Sequence, residues 1–74
     1  MYKVFLEIQK EELDHVKRVC ENIKMKDKTF DYGFEFDTIV LYCKSKNVAF
    51  KRGLWFKYRV KGVVKFVVST NDVR

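Results

Sequence analysis

A chain of 74 residues with a net charge of +6 has room for one domain, because two smaller cores would bury too little apolar surface to fold. Two cysteines and one histidine exclude a zinc site with the usual four nitrogen or sulfur ligands, so we expect neither a metal nor a cofactor. No stretch approaches the roughly 20 apolar residues that span a bilayer, and no signal peptide is visible, so we expect a cytoplasmic protein with no membrane partner.

Charge is distributed unevenly along the chain. Residues 1–37 contain seven Lys or Arg and nine Asp or Glu, whereas residues 38–74 contain nine basic residues and one acidic residue. A strongly cationic segment of this kind favours a polyanionic partner or an acidic protein surface. The alternative is that the two halves pack side by side and partly neutralise each other.

The first third of the chain is predicted to form a strand and then the only helix. Residues 2–8 alternate as a strand does, and residues 10–25 place apolar side chains at helical spacing. The apolar stripe of this helix consists of Leu13, Val16, Val19, Cys20 and Ile23. We expect Cys20 and Cys43 to be reduced, buried thiols, with a disulfide between them as the less favoured alternative.

Residues 30–43 are predicted to form the middle of an antiparallel sheet. Over residues 30–37, four aromatic residues alternate with residues that are almost all acidic, and residues 39–43 are apolar throughout. The acidic residues of this segment are Asp31, Glu35 and Asp37. Alternation of this kind is typical of a strand with one buried face. We expect residues 39–43 to form a central strand that follows through a bend or a tight turn.

The last third is predicted to contain a short strand over residues 48–51 and then a hairpin of residues 54–60 and 63–70. Both hairpin segments alternate in polarity. A three-residue loop ending at Gly62 would place the glycine where positive φ is required and would keep the apolar residues of both strands on one face. Residues 71–74 are expected to fray.

These elements predict an α+β domain that occupies the whole chain, residues 1–74. One amphipathic helix would pack on one face of a four- to five-stranded antiparallel sheet, in the order β-α-β-β-β-β. The side chains expected to face the helix are Tyr2, Val4, Leu6, Ile8, Phe34, Phe36, Phe56, Tyr58, Val64, Phe66 and Val68. The uncovered face would carry Phe5, Trp55, Val63 and Val67 among Lys3, Lys57, Arg59 and Lys65.

An uncovered face of this composition predicts a small protein that binds RNA or single-stranded DNA. Bases stack on aromatic rings while Lys and Arg contact phosphates, and Trp55 is the predicted stacking residue. The predicted phosphate contacts are Lys57, Arg59 and Lys65, with Lys44, Lys46, Lys51 and Arg52 in adjacent loops. The competing explanation is that Trp55 only covers the sheet and that the cations are solvated or paired with the acidic strand.

A second hypothesis is an inhibitor or adaptor that binds a host protein, including one that itself handles nucleic acid. Asp31, Glu35 and Asp37 would then present carboxylates in place of phosphates. The absence of Pro, with twelve Lys against four Arg, is typical of AT-rich genomes such as those of many bacteriophages. A third hypothesis is a homodimer whose open faces or edge strands pair.

Catalysis is not expected. His15 is the only histidine, and nothing near it in the predicted helix completes a nucleophile or a base arrangement. Carboxylates that alternate along a strand do not converge as a divalent cation requires. The three glycines are isolated from one another, so they form no phosphate-binding loop.

Overall fold

The computed structural model describes residues 1–70 as a four-stranded antiparallel sheet with two helices on one face. The strands are β1 (Tyr2–Ile8), β2 (Asp31–Glu35), β3 (Thr38–Cys43) and β4 (Val63–Thr70), and the helices are α1 (Leu13–Lys26) and α2 (Lys46–Arg59). A single 3-10 turn, Lys10–Glu12, precedes α1. The α+β class and the antiparallel sheet are confirmed. The predicted fraying of residues 71–74 lies outside the described residues.

The strand order across the sheet is β2-β3-β1-β4, and each neighbouring pair is antiparallel. The first strand of the chain therefore lies in the interior of the sheet, between β3 and β4. With the chain order β-α-β-β-α-β, this is the split β-α-β, or ferredoxin-like, topology. A fold at this level supports many functions, so function must come from particular side chains.

The hydrophobic core lies between the two helices and one face of the sheet. Its buried residues are Val4, Leu6, Val16, Cys20, Phe30, Ile39, Leu41, Cys43, Ala49, Phe56, Val60 and Val63. The predicted apolar stripe of α1 is confirmed, because all of its residues are buried or pack against this core. Both cysteines are free and buried, as expected. Burial, more than the charge of Glu21, raises the pKa of the Cys20 thiol to about 12, so little reactive thiolate forms at neutral pH.

Residues 46–59 form a helix, so the strands predicted over residues 48–51 and 54–60 are wrong. The hairpin that paired residues 54–60 with residues 63–70 is therefore also wrong. Residues 1–70 form two helices and four strands, so the predicted sheet of four to five strands is confirmed and the second helix is the difference. Most of the predicted cationic contacts lie in this segment, so they are presented by a helix and not by the sheet.

The helical character of α2 is weakly encoded in its sequence. Its buried positions recur at a helical spacing that comprises Ala49, Gly53 and Phe56, followed by the cap residue Val60. Two of these four residues are small, so the apolar period is faint, while the aromatic residues between them favour a strand. The helix start is better marked, because the Ser45 hydroxyl oxygen accepts a hydrogen bond of 3.2 Å from a backbone N–H of the first turn.

The predicted helix-facing set is partly right. The members that belong to the core or pack against it are Tyr2, Val4, Leu6, Ile8, Phe56, Phe66 and Val68. The other members are exposed instead, namely Phe34, Phe36, Tyr58 and Val64. Val63 was expected on the uncovered face, but it is buried because a bulge in β4 shifts the pairing with β1 by one residue.

Helix α2 lies close to β4 at Gly53. A Cβ atom added to Gly53 would lie 2.3 Å from Cδ2 of Phe66, well inside van der Waals contact. The missing side chain therefore lets the helix backbone approach the Phe66 ring. The same ring meets Phe50 edge-on, with 6.2 Å between ring centroids.

Gly53→Ala is expected to lower the free energy of unfolding by about 1–3 kcal/mol, because the added methyl group overpacks the contact with Phe66. Urea denaturation followed by circular dichroism measures the change. The double variant Gly53→Ala/Phe66→Leu should recover part of the loss, since the smaller side chain makes room. A single variant as stable as the parent would contradict the close approach.

The β2–β3 hairpin has a strained two-residue turn. Its central residues, Phe36 and Asp37, have φ values of 54° and 61°, and Glu35 pairs with Thr38 across it. Positive φ at both positions defines a type I′ turn, which favours Asn-Gly. A phenylalanine at such a position is strained, because its Cβ crowds the backbone. Phe36 is nevertheless 89% exposed.

Phe36→Asn is expected to raise the free energy of unfolding by about 1 kcal/mol, because asparagine tolerates the left-handed backbone conformation better. Chemical denaturation measures the gain. Phe34→Asn is the matched control, since Phe34 is half exposed and has no positive φ, and it should give no gain. Equal destabilisation by both changes would show that contact between Phe36 and Phe5, whose ring centroids are 6.4 Å apart, outweighs the strain.

Candidate nucleic-acid interface

The residues predicted for a basic sheet surface do not lie together on the sheet. Trp55, Lys57 and Arg59 lie on α2, so their placement on the uncovered face of the sheet is wrong. Lys65 lies on that face, and its Nζ is 3.5 Å from Oε1 of Glu7 on β1. The remaining predicted contacts gather on or beside α2, namely Lys44 just before it and Lys46, Lys51 and Arg52 within it.

The uncovered face of the sheet carries a closed polar network centred on Glu35. Nζ of Lys3 lies 3.1 Å and 3.0 Å from the two carboxylate oxygens of Glu35, and the Tyr42 hydroxyl donates to the same carboxylate at 2.6 Å. The Tyr42 ring crosses Gly33, where an added Cβ would lie 3.1 Å from the hydroxyl. The bond from Tyr42 and then the bond from Lys3 lower the pKa of Glu35. The same bond raises the pKa of Tyr42 to about 12, with help from burial.

This face is acidic rather than basic. The charged residues on it and at its hairpin turn are Lys3, Glu7, Asp31, Glu35, Asp37 and Lys65. An excess of carboxylates disfavours a polyanion. Sheets that bind single-stranded RNA offer the faces of aromatic rings to bases, but here Nζ of Lys3 lies over the Tyr42 ring, 5.9 Å from its centroid. Of the three predicted protein-binding carboxylates, Glu35 is already engaged, and only Asp31 and Asp37 are exposed.

Tyr42→Phe is expected to raise the pKa of Glu35, because the carboxylate loses its strongest hydrogen-bond donor. The lowered pKa of Glu35 means that its carboxylate stabilises the fold above the ordinary pKa and that this contribution is lost as pH falls through the folded-state value. The variant should therefore lose less stability on acidification. Carboxyl NMR titration and urea unfolding at neutral and acidic pH measure both effects, with Tyr58→Phe as the control. An unchanged Glu35 titration would contradict the network.

The cations of the chain concentrate around α2. Residues 44–61 contain seven Lys or Arg and no acidic residue. We define the α2 surface as the exposed residues Lys46, Phe50, Lys51, Leu54, Trp55, Lys57, Tyr58 and Arg59. Tyr58 is 73% exposed and Trp55 41% exposed, so both rings are accessible. Phe50 and Tyr58 were missed as surface aromatics, and helical spacing from the Ser45 cap is the sequence signal that would have placed them there.

Most of these cations have no acidic partner among residues 1–70. An Arg52 nitrogen lies 3.8 Å from Asp27, and Lys61 lies 4.0 Å from Glu12. Within residues 1–70, no carboxylate lies within ion-pair distance of the other five, which are Lys44, Lys46, Lys51, Lys57 and Arg59. Nζ of Lys57 instead lies 5.5 Å from the centroid of the Tyr58 ring. Lys65 is thus paired with an acid, although with Glu7 rather than with the predicted acidic strand. The cations of the α2 surface have no carboxylate partner within residues 1–70, which leaves them to solvent or to a ligand.

A cavity of about 720 Å³ lies at the β2–β3 turn, away from the α2 surface. Apolar side chains such as Leu13 and Phe34 dominate it, and its charged groups are Lys10, Glu35 and Asp37. Two carboxylates against one amine do not suit an anion. This cavity is therefore not part of the candidate interface.

Other site types find no support in the described part of the chain. Within residues 1–70, no three His, Cys, Asp or Glu side chains come together where a metal ion could bind. None of the helices formed by those residues has the length and apolar character to cross a membrane. Comparison with known protein families, curated proteins and solved structures finds no match to this chain. The candidate interface thus rests on the geometry of the chain itself.

Proposed function

We propose that this protein is a non-catalytic binding protein for RNA or single-stranded DNA and that it contacts the strand through the α2 surface. The observation that carries the proposal is the run of seven cations over residues 44–61 without one acid, interleaved with exposed aromatic rings. Five of these cations have no carboxylate partner within residues 1–70, so they are available to phosphates.

The exposed rings favour a single strand over a duplex. Unpaired bases stack on aromatic side chains, and each stacked base contributes roughly 1–3 kcal/mol. Paired bases within a duplex do not offer their faces in this way. Trp55 lies about one helical turn from both Lys51 and Arg59, and Tyr58 is next to Lys57 and Arg59 in the chain, so stacking and phosphate contacts can occur along one strand.

The distribution of charge orients the ligand. The α2 surface is cationic, whereas the uncovered sheet face on the other side of the molecule has more acids than bases. A polyanion is attracted to the first and repelled by the second. The same cations would also attract an acidic protein. Under the second hypothesis, the host protein would therefore bind this chain through an acidic surface.

Replacing two cations of the α2 surface, in Lys51→Gln/Lys57→Gln, is expected to weaken binding and to flatten its salt dependence. For single strands the slope of log K against log salt changes by about 0.7 for each phosphate contact, so the loss should be about 1.4. Fluorescence anisotropy with labelled RNA and DNA oligonucleotides at several salt concentrations measures both quantities.

The matched control is Lys17→Gln/Arg18→Gln, which removes the same charge from exposed positions of α1. This control variant should leave the slope of log K against log salt unchanged. Equal effects of the two double variants, or no binding by the parent protein at low salt, would overturn the proposal. A stoichiometric complex with an acidic protein that survives nuclease treatment, without oligonucleotide binding, would support the host-protein hypothesis instead.

A further inference from the structure

A small cavity of about 220 Å³ opens between the end of α1 and the middle of α2. It is lined by Ile23, Phe30, Trp55 and Phe56, with Asp27 and Arg52 as its polar groups. Its volume falls below the roughly 300–1,000 Å³ typical of sites for drug-sized ligands, so it suits one small flat group. Three of the six lining residues are aromatic, so that group is itself expected to be a ring.

The two polar groups of the small cavity are held in place. Oδ1 of Asp27 accepts hydrogen bonds from the backbone N–H of Thr29 at 2.9 Å and from its hydroxyl at 2.5 Å. The hydroxyl bond first, and then the N–H bond, lower the pKa of Asp27, so the group is an ionised acceptor at neutral pH. Oδ2 of Asp27 lies 3.8 Å from a nitrogen of Arg52, whose guanidinium lies 5.3 Å from the centroid of the Phe30 ring.

A larger cavity of about 590 Å³ shares Arg52 with the small one. Its cationic lining residues are Lys24, Lys28, Lys44 and Arg52, against Asp31 as the single acid. A cluster of four cations with one carboxylate favours an anion. The volume is large enough for a phosphate with its attached sugar.

A ligand that extends from one cavity into the other past Arg52 must match the chemistry of both. A simple anion would leave the aromatic cavity unused, and an apolar molecule would gain nothing from the four cations. A nucleotide unit has both a flat ring with N–H donors and a phosphate. Aromatic rings and arginine stack on bases, and carboxylates accept hydrogen bonds from base amino groups.

We propose that one nucleotide unit binds in the cleft between α1 and α2, with its base in the small cavity against Trp55 and its phosphate among Lys24, Lys28 and Lys44. This proposal rests on the proposed function and adds to it a specific base-binding site beside the general contacts of the α2 surface. The unit is either a free mononucleotide or one residue of a bound strand, since both present the same chemistry.

Trp55 is the only tryptophan, so its fluorescence reports on the cleft. Titration with 5′-mononucleotides is expected to quench this fluorescence in a saturable way. The affinity obtained should be higher than that for a nucleoside or for inorganic phosphate. Lys24→Gln/Lys28→Gln should weaken the binding of the mononucleotide. Lys51→Gln/Lys57→Gln should weaken the binding of oligonucleotides and leave quenching by the mononucleotide unchanged. Measured by calorimetry, Trp55→Ala should lower the affinity for the mononucleotide by about fivefold or more, whereas Tyr58→Ala should leave that affinity unchanged.

The outcomes separate this proposal from the proposed function. Oligonucleotide binding without Trp55 quenching by any mononucleotide would overturn the cleft site and leave the proposed function standing. Mononucleotide binding that depends on Lys24 and Lys28, without oligonucleotide binding, would support the cleft as a site for free nucleotides and overturn the proposed function. Equal affinity for inorganic phosphate and for mononucleotides would overturn the base-binding part.

Discussion

The close approach of Gly53 to the Phe66 ring sets how closely α2 can pack against the sheet. Because no side chain separates them, α2 lies directly over β4 and buries Ala49 and Phe56 in the core. Burial of that side of the helix leaves its remaining residues to solvent, and these are mostly lysine, arginine and aromatic residues. The composition of the α2 surface is thus a consequence of which side of α2 fits against the sheet.

The uncovered sheet face and the α2 surface differ in whether their charged side chains have partners of opposite charge. On the uncovered sheet face, Glu35 is held by Lys3 and Tyr42, and Lys65 lies near Glu7, so the charges are largely satisfied internally. Around α2, most cations have no such partner within the described residues. Within residues 1–70, the positive charge of the α2 surface is therefore not offset by neighbouring carboxylates.

The core and the proposed cleft share the same aromatic residues. Phe30 and Phe56 stack in the core with 6.1 Å between ring centroids, and both also line the small cavity beside Trp55. Arg52 borders both cavities, lies over Phe30 and faces Asp27. The cleft is therefore built on well-packed residues, which hold its walls in position before a ligand arrives.

The sequence alone determined the elements whose periodicity is strong, namely β1, the apolar stripe of α1 and the central strand β3, and with them the α+β class. It also pointed to Trp55, Lys57 and Arg59 as a cationic, aromatic group. Only the tertiary structure decided that this group lies on a helix, because the core positions Ala49 and Gly53 are too small to give a clear apolar period. Tertiary structure likewise decided which cations are neutralised, since Lys65 meets Glu7 and Lys3 meets Glu35 across strands that are distant in the chain.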